Sequence, residues 1–240
     1  MLQNLIHELK KQANPEKAKV FARFFKTRKG EYGEGDKFWG LTVPQTRAIS
    51  KKYFERLDLD DIQKLLRSKI HEYRLSALMI LRFKYEKGNM ETKRQIVEFY
   101  LKNTKYVNNW DLVDLSCHYI LGNWLLNTPE LHPEGDRKIL DKLGRSKNLW
   151  EKRIAIISTF EFIRNNQFED TLKISEILLH DKHDLIHKAV GWMLREVGKR
   201  DQKFEEAFLK KHYKQMPRTM LRYSIEKFSK EKRDSYLKLS

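Results

Sequence analysis

A chain of 240 residues can bury a sizeable core, and with 40% hydrophobic and 12% aromatic residues it is not a disordered basic tail. Lys and Arg number 49 against 33 Asp and Glu, a formal net charge of +16 that points to a polyanionic partner. A lone cysteine, Cys117, excludes an internal disulfide, and no apolar run approaches the ~20 residues of a spanning helix, so a reduced, cytoplasmic protein without a membrane segment is expected.

Helical periodicity dominates from Met1 onwards, and 10 Gly and 5 Pro leave few strand-and-turn punctuators. NPEKAKVFARFFK follows near the N-terminus at 14–26, ahead of the first clear break, GEYGEGDKFWG at 30–40. That glycine-rich segment lacks the strand, helix and lysine context of a phosphate-binding loop and reads as a structural turn, with a DNA-contacting role left open by its aromatics. Past Pro44 one cadence then recurs, a polar turn running into an apolar helix. It appears as HEYRLSALMIL from His71, NWDLVDLSCHYIL from Asn109, WEKRIAIISTF from Trp150, IHKAVGWMLREV from Ile186 and MPRTMLRYSIEKF from Met216. A second break, NTPELHPEG, falls at 127–135, and none of the breaks resembles an interdomain linker, so residues 1–240 are expected to form a single domain.

One polar residue near the start of each recurring helix gives Arg74, Asp114, Arg153, Lys188 and Arg218, spaced by 40, 39, 35 and 30 residues. Each interval has room for one further helix, such as RQIVEFYLKN at 94–103 or TLKISEILLH at 171–180. Helix pairs of this period predict an all-α fold, an α-solenoid of HEAT-like antiparallel pairs, with an irregular helical bundle as the alternative. Equivalent helices of a solenoid line one concave face, which here is a basic groove holding a single acid.

On a wheel of 100° per residue, Asp114 lies within about 40° of Trp110, among Cys117, Leu121 and Leu125 in an apolar stripe. Asp111 falls towards the polar edge beside His118. An ionised carboxylate on an apolar face is costly unless it is paired or lines a functional cleft, so Asp114 is either a site residue or the partner of a neighbouring repeat's arginine. On the helix from Ile186, Trp192 flanked by Lys188 and Arg195 lies away from the stripe of Ile186, Val190, Met193, Leu194 and Val197. Such an indole suits a sugar-phosphate backbone or a base; the alternative is a Trp packed on the next repeat with its cations snorkelling. Arg153, on a helix apolar almost all round, requires a carboxylate or a bound phosphate. His180, His183 and His187 cross from one helix to the next and read as a solvated loop rather than a metal site.

NNWDLVD at 108–114, LWEKRIAI at 149–156 and IHKAVGWMLRE at 186–196, with NPEKAKVFARFFK near the N-terminus, together resemble the AlkD-type DNA alkylation repair proteins over nearly the whole chain. The resemblance implies a monomeric DNA glycosylase that grips alkylated duplex DNA and cleaves the N-glycosidic bond of purines alkylated at N3 or N7, with no metal and no cofactor. It further implies that Asp114 is the catalytic carboxylate, that Trp110 and Trp192 cradle the lesion's deoxyribose, and that Arg153 faces a backbone phosphate. Lys188 and Arg195 fall on the DNA-facing helix, and Arg74 and Arg218 extend the row of backbone contacts. Phe24 stands where the best-known branch has an aromatic hydroxyl, so it is expected to touch the lesion without that hydrogen bond. A noncatalytic binder of distorted or branched DNA is the competing function, and Asp114 separates the two, because a pure binder gains nothing from an anion facing phosphates.

Overall fold

The computed structural model describes residues 1–128 and 137–238. The break expected at 127–135 therefore lies mostly outside the described residues. No strand occurs among the described residues; Lys37 and Ile70 form one isolated bridge. None of the described helices is long and apolar enough to cross a membrane. Packing divides the chain into two compact units, Met1–Ser116 and Cys117–Ser240.

The first unit holds α1 (Leu2–Lys11), α2 (Pro15–Phe24), α3 (Val43–Tyr53), α4 (Leu59–Leu66), α5 (His71–Lys87), α6 (Met90–Lys102) and α7 (Trp110–Asp114). Helix α5 is its axis and packs against α3, α4, α6 and α7. That position explains its composition: its first eleven residues are buried except Tyr73, with no continuous polar face, as suits a helix surrounded by protein. The polar first turn of this buried helix, His71, Glu72 and Arg74, must consequently find partners inside the unit.

The second unit holds a π-turn at His118–Gly122, α8 (Asn123–Asn127), α9 (Lys138–Gly144), α10 (Leu149–Ser158), α11 (Phe160–Arg164), α12 (Glu169–Ile177), α13 (Asp184–Arg200), α14 (Gln202–His212), α15 (Arg218–Ser224) and α16 (Lys230–Lys238). Here α13 is the axis, packing on α10, α14 and α15. Its stripe of Ile186, Val190, Met193, Leu194 and Val197 is buried, as the periodicity predicts. Within each unit the long helix thus stacks on its counterpart from the adjoining pair and on the helices between, which is the arrangement expected of an α-solenoid.

The continuous helix expected from Asn109 is not formed. Helix α7 ends after five residues, where the Ser116 hydroxyl turns back to the Leu112 carbonyl at 2.6 Å and also meets the Tyr100 hydroxyl at 3.1 Å. Such back-bonding competes with the helical ladder and bends it. The π-turn then carries the chain to Gly122, where any Cβ would run into the carbonyl oxygen of Ser158.

Candidate functional site

Helix α7 begins at a cap: the Asn109 side chain accepts from the Trp110 N–H at 2.9 Å. Trp110 and Asp114 stand four residues apart on this one turn, the spacing that puts two side chains on one helix face, and both are half-buried. The Trp110 indole stacks on Phe25, with centroids 5.1 Å apart and planes at 16°, and takes Phe24 edge-on at 5.9 Å. Phe24 is 63% exposed, so an uncovered aromatic edge borders a half-covered indole. The structure thereby brings together three expected site residues, Phe24, Trp110 and Asp114.

Two expectations for this unit are corrected. Asp111 is not at a polar edge: it is 5% exposed, its Oδ1 accepts from the Leu112 N–H at 2.9 Å, and its Oδ2 lies 2.8 Å from His71 Nε2. Arg74 is not a groove cation: it is 3% exposed, with Nη2 2.7 Å from Asp36 Oδ1 and Nη1 donating to the Ser68 carbonyl at 2.9 Å. Both errors have one cause. The wheel that placed Asp111 and the repeat spacing that placed Arg74 both consider a residue within its own helix, and the partners that pull these two inward come from other segments.

Those partners form a buried charge cluster. Asp36 Oδ2 lies 3.2 Å from His71 Nδ1 and accepts from the Asn109 amide at 3.3 Å. Burial alone would strip His71 of its proton; the Asp111 charge and hydrogen bond, followed by the Asp36 hydrogen bond, outweigh it and raise the imidazole to about 9. Asp36 is lowered: burial works against its charge, and His71 and Arg74 more than offset it. Two carboxylates and two cations therefore meet with their charges balanced, as burial requires.

The segment at 30–40 delivers Asp36 and is clamped where it ends. Glu72 accepts from the backbone N–H groups of Trp39, Gly40 and Leu41 at 2.8–3.2 Å. Gly40 has φ +83°, and a Cβ there would run into the Asn14 carbonyl oxygen, so this turn requires glycine. Phe38 leaves the segment to stack on His71, centroids 4.4 Å apart. Beside it lies a cavity of about 490 Å³ whose walls include Phe21, Phe24, Phe25 and Phe38, with His71 and Asp111 among its polar lining.

In the second unit, Arg153 on α10 is 5% exposed, and its Nη1 donates to the Leu185 carbonyl in the first turn of α13 at 2.7 Å. On α13, Lys188 pairs with Asp184 at 2.7 Å, and Arg195 pairs with Glu226 and lies 3.6 Å from Glu196. Trp192 is half-buried; its Nε1 donates to Glu196 at 3.1 Å and its ring tilts against Phe160 at 5.9 Å. Arg218, at the start of α15, is exposed and donates to the Leu237 carbonyl at 2.8 Å. A polar depression of about 390 Å³ gathers Lys188, Arg222 and Arg233 with Asp184, Glu226 and Tyr223. Arg222 and Arg233 were absent from the expected site, since neither falls at the repeat positions.

No group of three or more His, Cys, Asp or Glu among the described residues is arranged to hold a metal ion. His183 caps α13 through Nδ1, and His187 meets the Asp181 carbonyl at 2.5 Å.

The profile of a family described as DNA alkylation repair enzyme matches residues 5–228. No curated protein matches the chain. Among solved structures the chain is similar to one described as a predicted DNA alkylation repair enzyme from Enterococcus faecalis, with a TM-score of 0.70 and 18% identity, over 91% of this chain and 98% of that one. At that identity the likeness is one of fold.

Proposed function

This chain belongs to the DNA alkylation repair enzyme family, and from that premise we propose that it is a DNA glycosylase of base excision repair, hydrolysing the N-glycosidic bond of cationic N3- or N7-alkylated purines in duplex DNA. The observation that carries the reading is the face of α7. Trp110 and Asp114 share it, half-buried, while Asp111 between them is turned inward and engaged by His71. An indole and a carboxylate side by side suit a developing positive sugar: the ring face favours cations, and the carboxylate stabilises the charge and positions water.

The chemistry asks little else of the protein. As the C1′–N bond breaks, its electron pair passes to the alkylated base and cancels its positive charge, so the leaving group requires no proton. Water then adds to C1′, and its proton passes to Asp114 and on to solvent. In this reading Phe24 borders the lesion, Trp192 supplies a second indole, and Lys188, Arg195 and Arg218 meet the DNA backbone, while Arg153, buried and donating to the Leu185 carbonyl, holds α13 in place rather than facing a phosphate. Arg74 drops out, because it is consumed by Asp36.

The test is release of 7-methylguanine from duplex DNA by Asp114→Asn. The substitution keeps size and hydrogen-bonding reach and removes the charge. An expected loss on the order of 100-fold corresponds to about 2.7 kcal/mol of transition-state stabilisation, with affinity for undamaged duplex kept or tightened. Wild-type release by the variant would refute the role of Asp114. No release by the wild-type protein would leave the DNA-binding reading as the better one.

A further inference from the structure

We propose that His71 is a positioning residue for this site: held between the carboxylates of Asp36 and Asp111, it fixes α7, and with it Trp110 and Asp114, against α5 and the segment at 30–40. The inference rests on the proposed glycosylase reading for its catalytic consequence, but not for its structural one.

A single turn of five residues cannot maintain itself, because helix nucleation is unfavourable and most of the stability comes from packing. What holds α7 is visible in its first residues. Asn109 reaches Asp36 at 3.3 Å, Asp111 reaches His71 at 2.8 Å, and Trp110 lies on Phe25, whose ring is 5.1 Å from that of His71. All three anchors converge on one imidazole. Its two nitrogens face two carboxylates, and its ring packs against Phe38 at 4.4 Å and Phe25 at 5.1 Å, which stack on each other 5.0 Å apart. Both nitrogens can donate only when the ring is protonated; a neutral ring would turn a lone pair towards one carboxylate. The charge on His71 is thus part of the fastening.

The charged groups acting on this imidazole are Asp36 from the segment, Arg74 from α5 and Asp111 from α7, with Glu72 the next residue along α5. The carboxylate of Glu72 is taken up by three backbone N–H groups, and Arg74 is paired with Asp36, which leaves Asp111 and Asp36 to respond when His71 loses its proton. The neutral ring keeps a single N–H for two carboxylates, so one of them then faces a lone pair, and the two ties that hold α7 to α5 through Asp111 and to the 30–40 segment through Asp36 cannot both be kept. Misplacement of a reacting group by about 1 Å can cost about 100-fold in rate, so excision should fall as His71 deprotonates near pH 9.

The experiment follows the 19F resonance of Trp110 in the full chain labelled with 5-fluorotryptophan, assigned by Trp110→Phe, from pH 6 to 10. Single-turnover release of 7-methylguanine at saturating DNA is measured over the same range. In the wild type the Trp110 resonance and the excision rate should share one midpoint near 9. In Asp36→Asn that midpoint should move towards the ordinary 6.5 of histidine. In His71→Gln the Trp110 shift should vanish and excision should be slower by about 100-fold, with affinity for undamaged duplex within twofold. A Trp110 resonance that does not move while the His71 ring titrates overturns the proposal, as does a midpoint unchanged by Asp36→Asn. If His71→Gln does not fold, the wild type and Asp36→Asn decide alone. If the wild type releases no base, the glycosylase reading fails and the Trp110 resonance still decides whether His71 positions α7.

Discussion

Replacing Asp111 by Asn puts a thermodynamic figure on the buried cluster. His71 binds its proton with a midpoint of about 9, against 6.5 for an ordinary imidazole. The difference is worth on the order of 3 kcal/mol of folding stability, with Asp111 the largest of the contributions that raise it. Because the folded midpoint lies above the unfolded one, this stability is fully present below pH 6.5, declines from there, and is gone once the pH has passed 9. Asp36, whose midpoint is lowered from 3.8, works at the opposite limit, adding stability above that pH and losing it in acid. Urea unfolding of wild type and Asp111→Asn at pH 5.5, 7.5 and 9.5 isolates the coupling between Asp111 and His71, since the remaining titrating groups are common to both. The stability difference between the two proteins should be on the order of 3 kcal/mol at pH 5.5 and shrink to about 1 kcal/mol at pH 9.5. A difference that stays constant across that range would mean that Asp111 does not hold the imidazolium, and the account of the cluster would be wrong.

Glu205, buried where α14 crosses Gly198, is pushed up to about 8, chiefly by burial and then by Glu206, against the lowering pull of Arg195 and Lys232. An acid whose folded midpoint is raised costs stability above its unfolded value of 4.5, so Glu205→Gln should stabilise the protein at pH 7.5 by on the order of 4 kcal/mol and change little at pH 4.5; equal effects at both pH values would contradict this. Trp192→Ala should slow excision of 7-methylguanine more than it weakens binding to undamaged duplex, because an indole face gains most as positive charge develops. Equal losses in rate and affinity would assign Trp192 to general DNA binding.

Helix existence was legible from the cadence alone: the expected apolar helices from His71, Trp150, Ile186 and Met216 correspond to α5, α10, α13 and α15. The helix from Asn109 was not, because its interruption depends on the hydrogen bond from the Ser116 hydroxyl back to the Leu112 carbonyl and on the approach of Ser158 to Gly122, neither of which leaves a period in the sequence. Trp110 and Asp114 could be singled out by their spacing, whereas Asp36, His71 and Asp111 could not, being brought together across 35 and 40 residues of chain. One local signal was available. A helix opening HEYR with no polar face to follow leaves His71, Glu72 and Arg74 without water, and three such residues imply partners in the interior. The segment at 30–40 read correctly as a turn, but its acid proved to be the hub of the cluster rather than surface decoration.

The three-way junction at the start of α5 also dictates an order of assembly. Glu72 closes on Gly40 across 32 residues, His71 on Asp111 across 40, and Asn109 on Asp36 across 73. Loop closures of this length carry an entropic cost that must be met before the contacts can repay it. During synthesis from the N-terminus, Asp36 emerges before either of its cationic partners, and its carboxylate stays hydrated until α5 arrives. The turn that bears Trp110 and Asp114 emerges last of the participants, and the cluster is complete only once it has docked. A nascent chain arrested before residue 109 would thus lack Asp111, the largest of the contributions that hold the proton on His71, and would keep that imidazole close to its ordinary titration until α7 arrives.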